Sequence, residues 1–263
     1  NFRFFLEDDF NTDSQYGIGM SANFTDLNSH GAELTFNVDM GTDKLIEAEL
    51  YSPVLSSQEL FVSSKLNYNN ENRNVALNNF ANPDISGVYD YLPVLYTEFV
   101  TELSAGVQPT LWQELRVGGR YTKGTIEAST LSSLEALDYE RFGVFANYRL
   151  DTLDDFAFPT HGMLIDLGYL VSHDNSREVF QPIPNADKAE DTVYEISARF
   201  KGAMTQSRHT LVGQAEYSFV ESKNSLVPLN SRELGGFLNL SGIPRNSLIG
   251  QNLFYTSLVY RYK

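Results

Sequence analysis

Apolar residues recur at every second position along most of this chain, the period of a β-strand and not the 3.6 of a helix. In GAELTFNVDMG, Ala32, Leu34, Phe36, Val38 and Met40 share one face, and Glu33, Thr35, Asn37 and Asp39 share the other. HGMLIDLGYLVS sets Met163, Ile165, Leu167, Tyr169 and Val171 against Leu164, Asp166, Gly168 and Leu170. TVYEISARFKGAM sets Tyr194, Ile196, Ala198 and Phe200 against Glu195, Ser197, Arg199 and Lys201. HTLVGQAEYSF sets Leu211, Ala215 and Tyr217 against Thr210, Gln214 and Glu216. The pattern returns at 16–24, 44–50, 60–68, 95–107, 115–123 and 139–150, and less cleanly at 2–7 and 251–262. It predicts about twelve strands and no helix.

Two architectures give each strand one apolar and one polar face. A soluble sandwich hides the apolar face in a core; a membrane barrel turns it to lipid and lines its lumen with the polar one. The alternating runs are about 9–13 residues long, which suits a tilted crossing of the hydrocarbon layer better than an ordinary soluble strand. Full charges stand mid-strand on the polar face: Glu47, Glu49, Arg116, Arg120, Arg149, Asp166, Glu195, Arg199, Lys201 and Glu216. Aromatic residues gather near strand ends, at Tyr16, Phe24, Tyr68, Tyr121, Tyr148, Phe219, Tyr260 and Tyr262, where an amphipathic ring meets the headgroup layer. The reading is an all-β, transmembrane antiparallel β-barrel forming one domain over 1–263. Connectors set its orientation. TDLNSHG, SPVLSSQ, QPTLWQE and TQSRH are compact, whereas 69–94, 124–138, 172–191 and 220–250 are extended; GTDK is short for the long-loop end and DTLDDFAFPTHG long for the other. Outer-membrane barrels keep short turns on the periplasmic side, so the first strand is expected to run outward.

Composition narrows the chemistry. With 19 Lys+Arg against 34 Asp+Glu, the net charge of −15 lacks the basic footprint of a nucleic-acid binder. Zero cysteine removes disulfides, thiol nucleophiles and cysteine-ligated metal. His30, His161, His173 and His209 fall in turns or at strand ends without ligand spacing, so no metal site is expected. There is no Gly-x-Ser-x-Gly elbow and no phosphate loop. The expectation is a non-enzyme with no cofactor and no catalytic residue. The opening NFRFFLEDDF has none of the three regions of a signal peptide, as suits a cytosolic chain, a mature product or a segment of something longer.

Two segments carry a family resemblance. RLDTLDDFAFPTHG resembles the Asp-rich, Phe-Pro-x-x-Gly turn of the bacterial surface antigen superfamily, the barrels of outer-membrane assembly factors and two-partner secretion transporters. Asp151, Asp155, Phe158, Pro159 and Gly162 match it. Pro159 removes a donor where pairing must stop, and Gly162 permits the re-entry bend. LGGFLNLSGIPRNSLIGQN resembles that superfamily's sixth long loop, which folds back into the lumen; Gly235, Gly236, Leu240 and Gly242 match. Ser241 stands where the family has an Arg and Ile243 where it has an aromatic. The variant Phe-Leu-x-Leu-Ser-Gly is more similar to the barrels of patatin-like outer-membrane phospholipases, a type V secretion (autotransporter) arrangement.

The resemblance implies a barrel of about sixteen strands. With a single strand after loop six and an ending in Lys263, the chain is then expected to lack its last strands and to follow soluble domains upstream. It further implies a bacterial outer-membrane location and, as partners, outer-membrane lipid, the barrel assembly machinery and a tethered upstream domain. The leading expectation is a barrel that anchors, and translocates, an upstream patatin-like lipase; the alternative is an assembly or secretion pore for client proteins. A barrel enzyme with a Ser–His pair on its outer face finds no such pair mid-strand. Inside the lumen, Asp166, Glu195, Arg199 and Glu216, with Arg141 and Arg149, are expected to form a mixed-sign ladder. Loop six is expected to enter it, with Arg245 meeting Asp166 or Glu195.

Overall fold

A computed structural model describes residues 2–8, 14–76, 91–128, 136–177, 188–222, 232–234 and 248–262. Twelve strands form one antiparallel sheet in chain order: β1 (Phe2–Asp8), β2 (Ser14–Phe24), β3 (Glu33–Gly41), β4 (Lys44–Pro53), β5 (Leu60–Ala76), β6 (Tyr91–Thr110), β7 (Gln113–Ala128), β8 (Leu137–Asp151), β9 (Gly162–Arg177), β10 (Lys188–Gln206), β11 (His209–Glu221) and β14 (Asn252–Tyr262). Between the last two, β12 (Arg232–Leu234) and β13 (Leu248–Gly250) make a short separate ribbon. Among the described residues there is no helix.

The pairing register keeps each strand's apolar face aligned with its neighbours'. Ile196 lies opposite Tyr169 and Phe219, while Glu195 lies opposite Leu170 and Val220. Tyr217 lies opposite Ala198 and Phe254, and Glu216 opposite Arg199 and Tyr255. One face is therefore continuous and apolar from Phe4 and Ile18 to Phe254 and Leu258, and all four side chains are exposed. The other face is concave. Arg116 on β7 reaches Glu49 on β4 at 3.0 Å although two strands lie between them, which a flat sheet with strands about 4.8 Å apart would not allow.

Two sequence expectations change. The strands at the long-loop end extend well past the alternating segments: β6 has 20 residues, β10 has 19 and β5 has 17. Positions 69–76, 124–128, 172–177 and 188–191 are strand and not loop. Once two neighbours are paired, the ladder continues into water without help from alternation, so polar runs such as NYNNENRN of β5 stay in register with β6. The concave face is also not uniformly polar. Phe61, Tyr139, Phe145, Leu170, Val193 and Val220 are buried there.

At the other end two turns are tight and the links at 25–32, 54–59 and 152–161 are longer, while Thr42 and Asp43 make one tight turn at the long-loop end. Two residues join β6 to β7 and two join β10 to β11. Asp26, Gln58 and Ser207 take positive φ of 58°, 59° and 56°. The turn before β3 is braced by Asn28, whose Oδ1 accepts the N–H of His30 at 2.9 Å and of Ala32 at 3.1 Å.

A charge introduced on the convex face is expected to cost far more than one on the concave face. In a bilayer-refolding titration, Ile196→Arg should destabilise by about 2–4 kcal/mol and Ser197→Arg by about 0–1 kcal/mol. Equal costs would contradict the assignment of faces, because a one-residue slip inverts the whole strand.

Candidate functional site: the concave face and its two ends

On the concave wall a three-part arrangement repeats. Phe61, Phe145 and Tyr139 stand directly opposite Gly106, Gly118 and Gly124 on the neighbouring strand. Each ring lies over its glycine so closely that an added Cβ would come within 2.3, 2.8 and 2.4 Å of it. Ring carbon thus covers the bare glycine backbone and fills the wall, as aromatic residues do for sheet glycines elsewhere. An arginine then lies over each ring: Arg116 on Phe61 at 5.2 Å, Arg120 on Phe145 at 5.5 Å and Arg141 on Tyr139 at 5.8 Å.

Each of these arginines also meets carboxylates. Arg116 contacts Glu49 at 3.0 Å and Glu114 at 2.9 Å; Arg120 contacts Glu102 at 2.6 Å. Arg141 contacts Asp174, a fully buried side chain, at 2.8 Å and Glu195 at 3.8 Å. Lys65 pairs with Glu47 at 2.5 Å, and the Tyr139 hydroxyl donates to Glu98. A charge withdrawn from bulk water is tolerable only when paired in this way. Between β5 and β10, Lys65, Glu98, Glu102, Arg120, Arg141 and Glu195 line a cavity of about 370 Å³.

The stem of loop six sits at the long-loop mouth of that cavity. Arg232 of β12 donates to Glu195, which also faces Arg141, and the Ser222 hydroxyl donates to Asp191 at 2.6 Å. The Val220 N–H donates to the Gln251 carbonyl at 2.8 Å, closing the base of the loop.

At the short-turn mouth, residues 152–161 fold back under the sheet. Asp154 organises them: its Oδ1 accepts the N–H of Thr160 at 2.8 Å and of His161 at 3.0 Å, and its Oδ2 accepts the Thr160 hydroxyl. That hydroxyl, followed by the two amides, holds the Asp154 carboxyl well below the usual carboxylate range. Asp155 caps the next bend by accepting from Ala157 and Phe158 N–H at 2.9 and 2.7 Å. Three strand residues then hold the turn. Lys201 donates to the Phe156 carbonyl at 3.1 Å, Thr205 to the Thr160 carbonyl at 2.9 Å, and Arg261 to the Pro159 carbonyl. Gly162 ends the turn at φ +94°, where a Cβ would lie 2.0 Å from the Thr152 carbonyl oxygen.

The residues singled out from sequence are distributed as follows. Asp166, Glu195, Arg199 and Glu216 all face the concave side. Arg199 pairs with Glu216 at 2.9 Å, and Arg149 with Asp151 at 3.0 Å. Asp166 lies opposite both arginines in register, and their hydrogen bonds go to Glu216 and Asp151. Asp151 accepts the Leu153 N–H at 3.2 Å, Pro159 is fully buried, and Phe158 is exposed beneath Arg261. Gly235, Gly236, Leu240, Ser241, Gly242 and Arg245 lie outside the described residues. Sequence reasoning missed Arg232, Asp154 and the three ring–glycine pairs. The glycines of the latter were visible, but their partners sit on other strands. No group of three or more metal-ligating side chains occurs among the described residues.

No family model and no curated protein matches the chain. Among solved structures the fold is similar to BamA from Haemophilus ducreyi lacking POTRA domains 1–3, with a TM-score of 0.65 and 11% identity. The likeness covers 94% of this chain and 46% of that one, so the chain spans about half of its neighbour's length. At that identity the likeness shows the fold: a β-barrel of the outer-membrane type, here as twelve strands.

Two outcomes are expected. Gly106→Ala should cost about 1–3 kcal/mol by displacing Phe61, read from the denaturant midpoint of the lipid-embedded protein. Because the Asp154 pKa is lowered on folding, the turn gains stability above the ordinary carboxylate pKa of about 3.9 and loses it as pH falls below that value. Protection of the Thr160 and His161 amides, taken relative to their intrinsic exchange rates, should hold from neutral pH to about 5 and fall in acid, and Asp154→Asn should remove that pH dependence.

Proposed function

We propose that this chain is the membrane-spanning barrel of an outer-membrane assembly or translocation protein, a scaffold for polypeptide with no catalytic role of its own. The observation that carries the reading is the two-faced sheet. Its convex side offers lipid an unbroken apolar belt, and its concave side offers a passing chain fixed, paired charges. Fold likeness to a BamA barrel supports it. In this reading the short turns face the periplasm, outer-membrane lipid and the assembly machinery are partners, and an upstream domain is tethered at the first strand. The loop-six stem, held by Arg232 on Glu195, occupies the outer mouth. Loops and lumenal residues of such a barrel act by position: they brace a segment, exclude lipid and release it, with no bond made or broken.

A second reading, an anchor for an upstream patatin-like lipase, rests on the Phe237-Leu238-Asn239-Leu240-Ser241-Gly242 run and on Ser241 where the wider superfamily has Arg. Arg232 gives this second reading a physical footing, because it supplies a lumenal cation from the stem in place of the one missing at the tip. The two readings share the barrel and differ in cargo.

The test uses a photo-crosslinking residue in the full-length protein in its membrane. At position 197, on the concave face, it should capture polypeptide; at 196, on the convex face, it should capture lipid. Absence of any polypeptide adduct from 197 would defeat both readings, and adducts only with the protein's own upstream segment would select the anchor. A further expectation concerns the stem. Breaking its charge-assisted bond by Arg232→Ala should cost about 1.5–3 kcal/mol and raise proteolysis within 222–251 about tenfold or more, leaving the strands intact.

A further inference from the structure

The β6–β7 turn and the 152–161 turn face each other across a cleft of about 460 Å³ at the short-turn end of the sheet. The Asp151 N–H, donating to the Trp112 carbonyl at 2.8 Å, ties the two turns together. Leu111 is 100% exposed, Phe156 79% and Trp112 52%, so the apolar surface of the cleft has no cover from this chain. An exposed patch of this kind marks a contact surface. Glu114, Asp151, Asp154 and Asp155 line the same cleft with Arg149. Glu114 is paired with Arg116 and Asp151 with Arg149, and Lys201 lies over the Phe156 ring, so among the described residues Asp154 and Asp155 are the carboxylates of the cleft without a Lys or Arg partner.

That imbalance decides between two kinds of contact. Rings that float at a membrane surface are joined by cations, because the headgroups beside them are often anionic. Asp154 and Asp155, which have no Lys or Arg partner among the described residues, would be repelled there and would instead attract a cationic partner. We propose that this cleft docks a polypeptide segment in which lysine or arginine alternates with apolar residues, at the entrance to the concave face. The inference rests on the reading of the barrel as a handler of polypeptide, and it names the chemistry of the segment received at the turn end. Apolar side chains of the segment lie against Leu111, Trp112 and Phe156, while its cations meet the carboxylate rim. The aromatic surface supplies affinity and the rim supplies selection by charge.

Trp112 is the only tryptophan of the 263 residues, and its emission reports the cleft directly. The measurement is the emission of the full-length protein in zwitterionic nanodiscs minus that of its Trp112→Phe variant. A peptide of alternating Lys and Leu should shift this difference to the blue and saturate, with binding weakened by salt. A Glu and Leu analogue should bind about tenfold more weakly or not at all. Leu111→Ser removes apolar surface from a fully exposed position, and Gln113→Lys adds a cation to the cleft lining. Neither removes a buried contact, and each should weaken the Lys–Leu peptide about tenfold. A silent Trp112, an equal response to both peptides, or an emission that follows the anionic lipid content and ignores peptide would overturn the proposal. Polypeptide adducts from position 197 together with a silent Trp112 would sink the cleft alone and leave the barrel reading standing.

Discussion

Everything in this molecule depends on backbone hydrogen bonding in a medium that offers none. A spanning segment in hydrocarbon must satisfy each N–H and C=O within the protein, and strands can do so only by pairing edge to edge. Eleven consecutive antiparallel ladders follow from that demand, running from β1 to β11 and then to β14. Once the ladders exist, the pleat assigns every side chain to lipid or to the interior, and alternation in the sequence is the price of that assignment.

The interior then has its own constraint. Curling the sheet crowds the concave side with charges from strands that are not neighbours, and it withdraws them from bulk water. Pairing answers the first problem, as Arg116 with Glu49 and Glu114 shows, and packing answers the second. Aromatic rings laid over glycines keep the wall smooth and give each arginine a flat surface to lie on. The glycine is required at these positions because any Cβ would occupy the space of the ring. Arg141 joins this wall to the loop, since Glu195 accepts from Arg232 and lies 3.8 Å from the Arg141 guanidinium. The mouth and the wall are therefore one connected network.

The two ends are secured by different means. At the short-turn end a single carboxylate, Asp154, satisfies three donors of its own turn, and strand residues Lys201, Thr205 and Arg261 take up the turn's carbonyls. At the long-loop end, among the described residues, Arg232 is held on Glu195, Ser222 on Asp191, and the Val220 N–H on the Gln251 carbonyl.

Periodicity by itself determined the strand number and the sense of each face, because a period of two repeated over many strands has few structural solutions, and connector lengths pointed to the end at which most short turns lie. The Phe-Pro-x-x-Gly turn was legible for the same reason: Pro159 and Gly162 act on their own backbone, through a fixed φ and a permitted positive φ. Sequence reading pointed to Asp151 and Asp155 and passed over Asp154, because which of three nearby carboxylates faces the amides depends on how the turn folds back. Only the tertiary structure decided the interior partners. Asp166 lies between Arg149 and Arg199 and receives a hydrogen bond from neither, while Phe61 finds Gly106 and Arg232 finds Glu195 across 45 and 37 positions of sequence. Alternation says that a side chain points inward; register, twist and curvature choose what it meets there.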